Sequence, residues 1–166
     1  MAELPEMMNY YNRPLGLIMR VPLAWHGQMV EENHLRILAP EEPDFGDYRA
    51  GMSFRRGRWD GHESGGFEAL ISRAGEEMAA TYPNYVHRGD ERFEWGDNTP
   101  VHLRHYEWRD PATQLHFSQF QALVYPGDGV LFLINAATLK DLEGSHLPVF
   151  EAILRSTLGA PASSPA

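Results

Sequence analysis

The stretch YVHRGDERFEWGDNTPVHLRHYEWRDPATQLHFSQFQALVYPGDGVLFLINAAT, residues 85–138, decides the reading of this chain. It divides into four extended runs, 85–95, 101–108, 115–125 and 130–137. Gly-Asp-Asn-Thr-Pro, Asp-Pro-Ala-Thr and Pro-Gly-Asp-Gly stand between them. These residues make tight turns because Gly and Asn tolerate positive φ, Pro presets φ, and Asp bonds to its own backbone. Connections this short cannot carry a crossover, so neighbouring runs are expected to pair antiparallel. The last run, Val130-Leu131-Phe132-Leu133-Ile134, is apolar without alternation and asks for cover on both faces. It is expected as an inner strand.

Working backward, residues 67–82 change period. Phe67, Leu70, Ile71, Ala74, Met78 and Tyr82 fall on one helical face, Ser64 is a candidate cap, and Pro83 ends the run. Residues 48–55 alternate instead, with Tyr48, Ala50, Met52 and Phe54 opposite Arg49, Gly51, Ser53 and Arg55. Further strands are expected at 15–21, 28–32 and 34–38, after a loosely packed arm at 1–14. Forward of the quoted stretch, Thr138 and Asp141 suggest a short capped turn. Ser145 then opens a helix bearing Leu147, Phe150, Leu154 and Leu158, stopped by Gly159. The two helices are expected to cover the sheet from opposite faces. The fold class is therefore α+β, an antiparallel β-sheet with helices packed on its faces. Residues 15–158 are expected to form one domain and 159–166 a disordered tail.

Composition narrows the partners. The chain has 166 residues, 43% hydrophobic and 22% charged, and suits one globular domain. It has no cysteine, which excludes disulfides, thiolate metal sites and a Cys nucleophile. A net charge of −9 repels phosphate backbones and anionic membranes, so no nucleic-acid partner is expected. The basic cluster Arg49, Arg55, Arg56 and Arg58 reads as a solvated strand end. Neither a leader with a basic start nor a spanning apolar run is present in these residues, so a cytoplasmic protein without membrane insertion is expected.

Catalytic and metal motifs are missing. His102 and His105, the close pair among eight histidines, stand three apart on a strand and so face opposite ways. No metal site and no cofactor is expected. The acidic loop 41–47 lacks the spacing of a calcium loop, and residues 61–66 lack the lysine of a phosphate-binding loop. No serine sits in a Gly-x-Ser-x-Gly elbow. His116 and Ser118 share a strand face and form the one candidate couple for a small hydrolase-like enzyme, with no acid evident to orient them.

The order of elements resembles the PsbP-like superfamily, an α/β/α sandwich, and within it the bacterial DcrB/LpqN-type branch. The segments that carry the likeness are VPLAWHGQMVEENHLRILAP (21–40), YRAGMSF (48–54), GFEALI (66–71) and LPVFEAILRSTL (147–158). The resemblance implies a non-catalytic binding or assembly factor of chaperone-like type, and brings no shared ligand residues. It differs from the envelope members in lacking a leader and a lipidation cysteine. The expected partner is a protein segment or a small apolar ligand. Trp25, Met52, Trp59, Trp95 and Trp108 are the candidate contacts. A homodimer through a free sheet edge, at the first or fourth strand, is the third reading, beside the enzyme.

Overall fold

In the computed structural model, which describes residues 3–42, 48–60 and 65–159, the apolar run at 130–134 opens the strand at the middle of the larger sheet. The strands are β1 (Met7–Asn12), β2 (Leu17–Pro22), β3 (His26–Glu31), β4 (His34–Leu38), β5 (Gly51–Arg58), β6 (Val86–Glu94), β7 (Pro100–Arg109), β8 (His116–Gly127), β9 (Val130–Leu139) and β10 (Leu158–Gly159). The helices are α1 (Gly66–Thr81) and α2 (Glu143–Ser156). Seven strands form one sheet in the order β3-β4-β5-β9-β8-β7-β6, every pair antiparallel. The four-run meander is present as read, and β9 is its inner strand.

The arm expected at 1–14 contains β1, which pairs with β2 along its whole length. Its alternation was hidden because each side sets one half-buried residue, Met7 on one and Tyr10 on the other, beside exposed neighbours. β10 closes a second, three-stranded sheet on the other side of β2, with Gly159 opposite Leu17. Leu158 thus belongs to a strand, not to α2. Residues 160–166 of the expected tail lie outside the described residues, as do Ser64 and the acidic residues 43–47.

Both helices start without a side-chain cap. Gly65 (φ 94°) makes the left-handed turn into α1, and α2 follows a 3-10 turn at Lys140–Leu142, so Ser145 lies inside the helix. Thr138, expected as a cap, ends up buried in β9 and shares a 2.6 Å hydrogen bond with His146 Nδ1.

The core lies between one face of the large sheet, the small sheet and α2. Phe54, Ile134, Phe132, Leu35 and Ile37 meet Leu17, Met19, Phe150, Ile153 and Leu154 there. α1 lies on the opposite face: its Ile71 carbonyl accepts from Arg104, Tyr82 just beyond it packs on Tyr106, and Phe67 stacks on Tyr125. The strands expected to offer a free edge, at 15–21 and 48–55, are interior in their sheets. The edges are β3 and β6 in the large sheet and β1 and β10 in the small one. Among the described residues no helix is long and apolar enough to cross a membrane.

Candidate binding face

Strand register places residues in rows across the α1-side face. One row runs His34, Arg55, Leu133, Leu123, His102 from β4 to β7. The next runs Arg36, Ser53, Asn135, Gln121, Arg104, and a third runs Leu38, Gly51, Ala137, Gln119, Tyr106. Burial falls from β7 toward β5 along each row, and His34 at the β4 end of the first row is buried again. His102, Arg104 and Tyr106 are 2%, 6% and 0% exposed beneath α1, whereas Asn135, Leu133, Leu131 and Ala137 are half-exposed and Arg36 and Arg55 are exposed. The helix covers β7 and β8 and stops short of β9. The apolar run that asked for cover on both faces therefore has it on one: Phe132 and Ile134 are buried in the core, and Leu131 and Leu133 are left on an open floor.

This floor spans β9, β5 and β4, and from Gly51 to Gly57 it measures about 20 Å. Aromatic clusters bound it at either end. At one end Trp108 stacks on Phe117 with centroids 4.7 Å apart, and Tyr48 lies 6.2 Å from Phe117. Burial pushes the Tyr48 hydroxyl up to about 12. At the other end Trp59 meets Tyr125 edge-on at 4.9 Å and Phe67 at 6.3 Å. Two hollows open on the floor. One of about 300 Å³ is lined by Arg36, Leu38, Tyr48, Ser53, Phe117 and Asn135. The other, about 290 Å³, is lined by Glu31, His34, Arg55, Arg56, Leu131 and Leu133.

The floor is basic in an acidic protein. Arg88, Arg92 and Arg155 elsewhere pair with Glu107, Glu68 and Glu91, yet among the described residues Arg36 and Arg55, the arginines of this face, form no ion pair. His34 lies beneath them, 4% exposed, and neither ring nitrogen has a hydrogen-bond partner. Burial, and then the charges of Arg55 and Arg36, hold its pKa below the usual histidine value.

Of the five expected contacts, Trp59 and Trp108 border this floor. The other three are core residues. Trp25 (8% exposed) packs edge-on against Phe150, Met52 is 2% exposed, and Trp95 (2%) donates its indole N–H to the Leu154 carbonyl at 3.1 Å. Alternation along β5 and the short β2–β3 link brought Met52 and Trp25 inward. The sequence reading missed His34, Arg36, Leu131 and Leu133. The signal was present in part, because Leu35 and Ile37 alternate with His34 and Arg36, and two polar residues facing the same way deserve a partner.

The hydrolase-like couple does not assemble. His116 and Ser118 share the core-side face, but Ser118 is 0% exposed and its hydroxyl lies 3.0 Å from His105 Nε2. His116 Nε2 instead stands 2.9 Å from Glu107 Oε1. Glu107 is 1% exposed and is also held by Arg88, re-aimed by a bulge at 87–89, and by Lys140 at 3.2 Å. Burial alone would raise its pKa, but the hydrogen bonds from Arg88 and Lys140 bring it below the ordinary carboxylate value. A serine without exposed surface cannot meet a substrate, and no carboxylate among the described residues bonds His105. His102 and His105 face opposite sides, as their spacing predicts: His102 bonds Asp90 at 2.9 Å beneath α1.

No family model and no curated protein matches the chain. Solved structures do. The cyanobacterial PsbP (CyanoP) of Synechocystis superposes with a TM-score of 0.63 at 12% identity, over 95% of this chain and 94% of that one. The Ran-binding protein Mog1p of Saccharomyces cerevisiae gives 0.63 at 8%, over 96% and 98%. LpqN of Mycobacterium tuberculosis, involved in cell envelope biogenesis, gives 0.61 at 16%, over 94% and 91%. At such identities the likeness is one of fold: an α+β antiparallel sheet with helices on its faces, the architecture that CyanoP, Mog1p and LpqN share with this chain.

Proposed function

We propose that this protein is a non-catalytic binding factor of chaperone or assembly type, and that it docks a segment of a partner protein on the open floor of β4, β5 and β9. The observation that carries this reading is the half-exposure of Leu131 and Leu133 on a strand otherwise built for burial on both sides. Exposed apolar side chains in a bordered hollow gain free energy when a partner removes them from water. Trp59 and Trp108 at the two ends supply the rigid, amphipathic contacts that interfaces favour. A floor about 20 Å long accepts about six residues of extended chain, which favours a protein segment over a small apolar ligand. The Ran-binding character of Mog1p and the envelope role of LpqN support an accessory role in general terms. Kinship with the DcrB/LpqN-type branch, a single domain over 15–158 and a cytoplasmic setting belong to the same reading.

The test is selection of a displayed random dodecapeptide library on the intact chain. Peptides that bind the wild type are expected to lose binding at least tenfold on Leu133→Asp and to keep it on Glu76→Lys, a change on the exposed side of α1. Equal binding to both variants removes the reading.

A homodimer is the second reading. It would use β3 or β6, where Val30 and Val86 are 42% and 45% exposed on the edges of the large sheet. Light scattering that shows a strict monomer at high concentration excludes it.

A further inference from the structure

We infer that His34, Arg36 and Arg55 form a receptor for a carboxylate on the open floor, one that takes an Asp or Glu side chain of the docked segment. The inference rests on the reading of the floor as a segment-docking surface, and it specifies the chemistry of what docks.

Its first support is an unfinished hydrogen-bond account. A buried imidazole normally finds partners, because one left unpaired has surrendered water without return. His34 is 4% exposed with both nitrogens unpartnered, and it borders the 290 Å³ hollow. As a neutral ring it still offers one N–H, which a carboxylate oxygen accepts.

The second support is charge. Arg55 stands directly opposite His34 in the β4–β5 register, and Arg36 follows two residues along β4 on the same face. Neither has an anionic partner among the described residues, in a chain carrying −9. Guanidinium groups bind carboxylates through paired N–H donors. The opposing charge is Glu31, across from His34 at the rim of the hollow. One carboxylate set against the two guanidiniums of this face leaves room for a single negative charge and disfavours a dianion such as a phosphate.

The third support is the neighbouring surface. Leu133 follows Arg55 in the same row, and Leu131 lines the hollow. An acidic side chain entering here carries its flanking residues onto apolar floor. The recognised pattern is thus an acidic residue beside apolar ones, within a segment whose charge complements the floor and not the rest of the protein.

The experiment uses peptides selected from the dodecapeptide library on the intact chain, with Arg36→Gln and Arg55→Gln combined in one variant and His34→Gln as a second. Circular dichroism confirms that each is folded. Wild-type selections are expected to share an Asp or Glu at a fixed spacing from apolar anchors. Changing that residue to Asn or Gln should weaken binding at least tenfold on the wild type and less than twofold on the double arginine variant, the non-additivity expected of a direct contact. The His34 ring resonances should also move when the acidic peptide is added. Peptides that lose binding on Leu133→Asp but show no acidic position overturn the carboxylate receptor and leave the docking floor standing. If no selected peptide responds to Leu133→Asp, the floor and the receptor fall together.

Discussion

The Arg104 guanidinium lies against the bare backbone of Gly75: a Cβ built on that glycine would stand 2.9 Å from Arg104 Nη2. The same guanidinium donates to the Ile71 carbonyl at 3.1 Å and to Gln121 Oε1 at 3.2 Å, and is 6% exposed with its residue. The buried arginine thus joins α1 to β7 and β8, and the missing side chain at position 75 is what lets the helix come down onto it. Replacing a mid-helix glycine by alanine ordinarily gains about 1 kcal/mol. At Gly75 the added methyl displaces Arg104, and overpacking costs about 1–3 kcal/mol. Gly75→Ala is therefore expected to lower stability by about 1 kcal/mol, read as a fall in the urea midpoint. A rise would show that Arg104 moves aside freely.

Adjacent residues of β9 should respond in opposite ways. Ile134 is 2% exposed in the core, so Ile134→Ala should cost about 2–5 kcal/mol. Leu133 points to the open floor, and Leu133→Asp should cost less than about 1 kcal/mol. Denaturant unfolding of the two variants tests this, and a large loss at Leu133 would mean that the floor is covered.

Glu107 holds its partners by charge. Its folded pKa lies below the unfolded value of 4.5, so its stabilising contribution is present above that pH and is lost as pH falls through the folded value. Glu107→Gln should cost about 2 kcal/mol at pH 7, less than a fully buried pair, because Arg88 and Lys140 are partly in water. The gap between variant and wild type should close below pH 4.5. A gap that persists in acid would assign Glu107 a packing role.

Four histidines set a second pH dependence. His34, His102, His105 and His146 all have pKa values below 6.5, with burial the largest cause in each. The folded protein then binds fewer protons than the unfolded chain in the window under 6.5, and stability falls as pH drops through it. Thermal melts from pH 7.5 to 5 should show a declining midpoint. His34→Gln should blunt part of that decline, and an unchanged slope would mean that the His34 ring is protonated at no cost.

Much of this fold was legible because its signals are local. Turn residues between four short runs determine antiparallel neighbours, and the alternation of 48–55 set Met52 and Phe54 on one face, which the structure turns inward. β1 was less legible: half-buried Met7 and Tyr10 stand on opposite sides, each beside exposed residues, so its period carries little contrast. The start of α2 was misread because the 3-10 turn at 140–142 does what a capping side chain does elsewhere. At the candidate site, two of the five expected aromatic and methionine contacts, Trp59 and Trp108, border the floor and the other three lie in the core. Exposure of a tryptophan depends on what folds over it, which for Trp95 is the end of α2, 59 residues away.

The open floor under Leu131 and Leu133 separates the two kinds of information. The sequence by itself determined that residues 130–134 form an inner strand, since five apolar residues in a row cannot face water on either side at low cost. It also determined that helices would pack on both faces. Only the tertiary structure decided where along the sheet α1 comes to rest, because that position depends on Gly75 meeting Arg104 from another strand. The same contact leaves β9 uncovered on one side, beside His34, Arg36 and Arg55; spacing along β4 pairs the first two, and only strand register brings Arg55 to them.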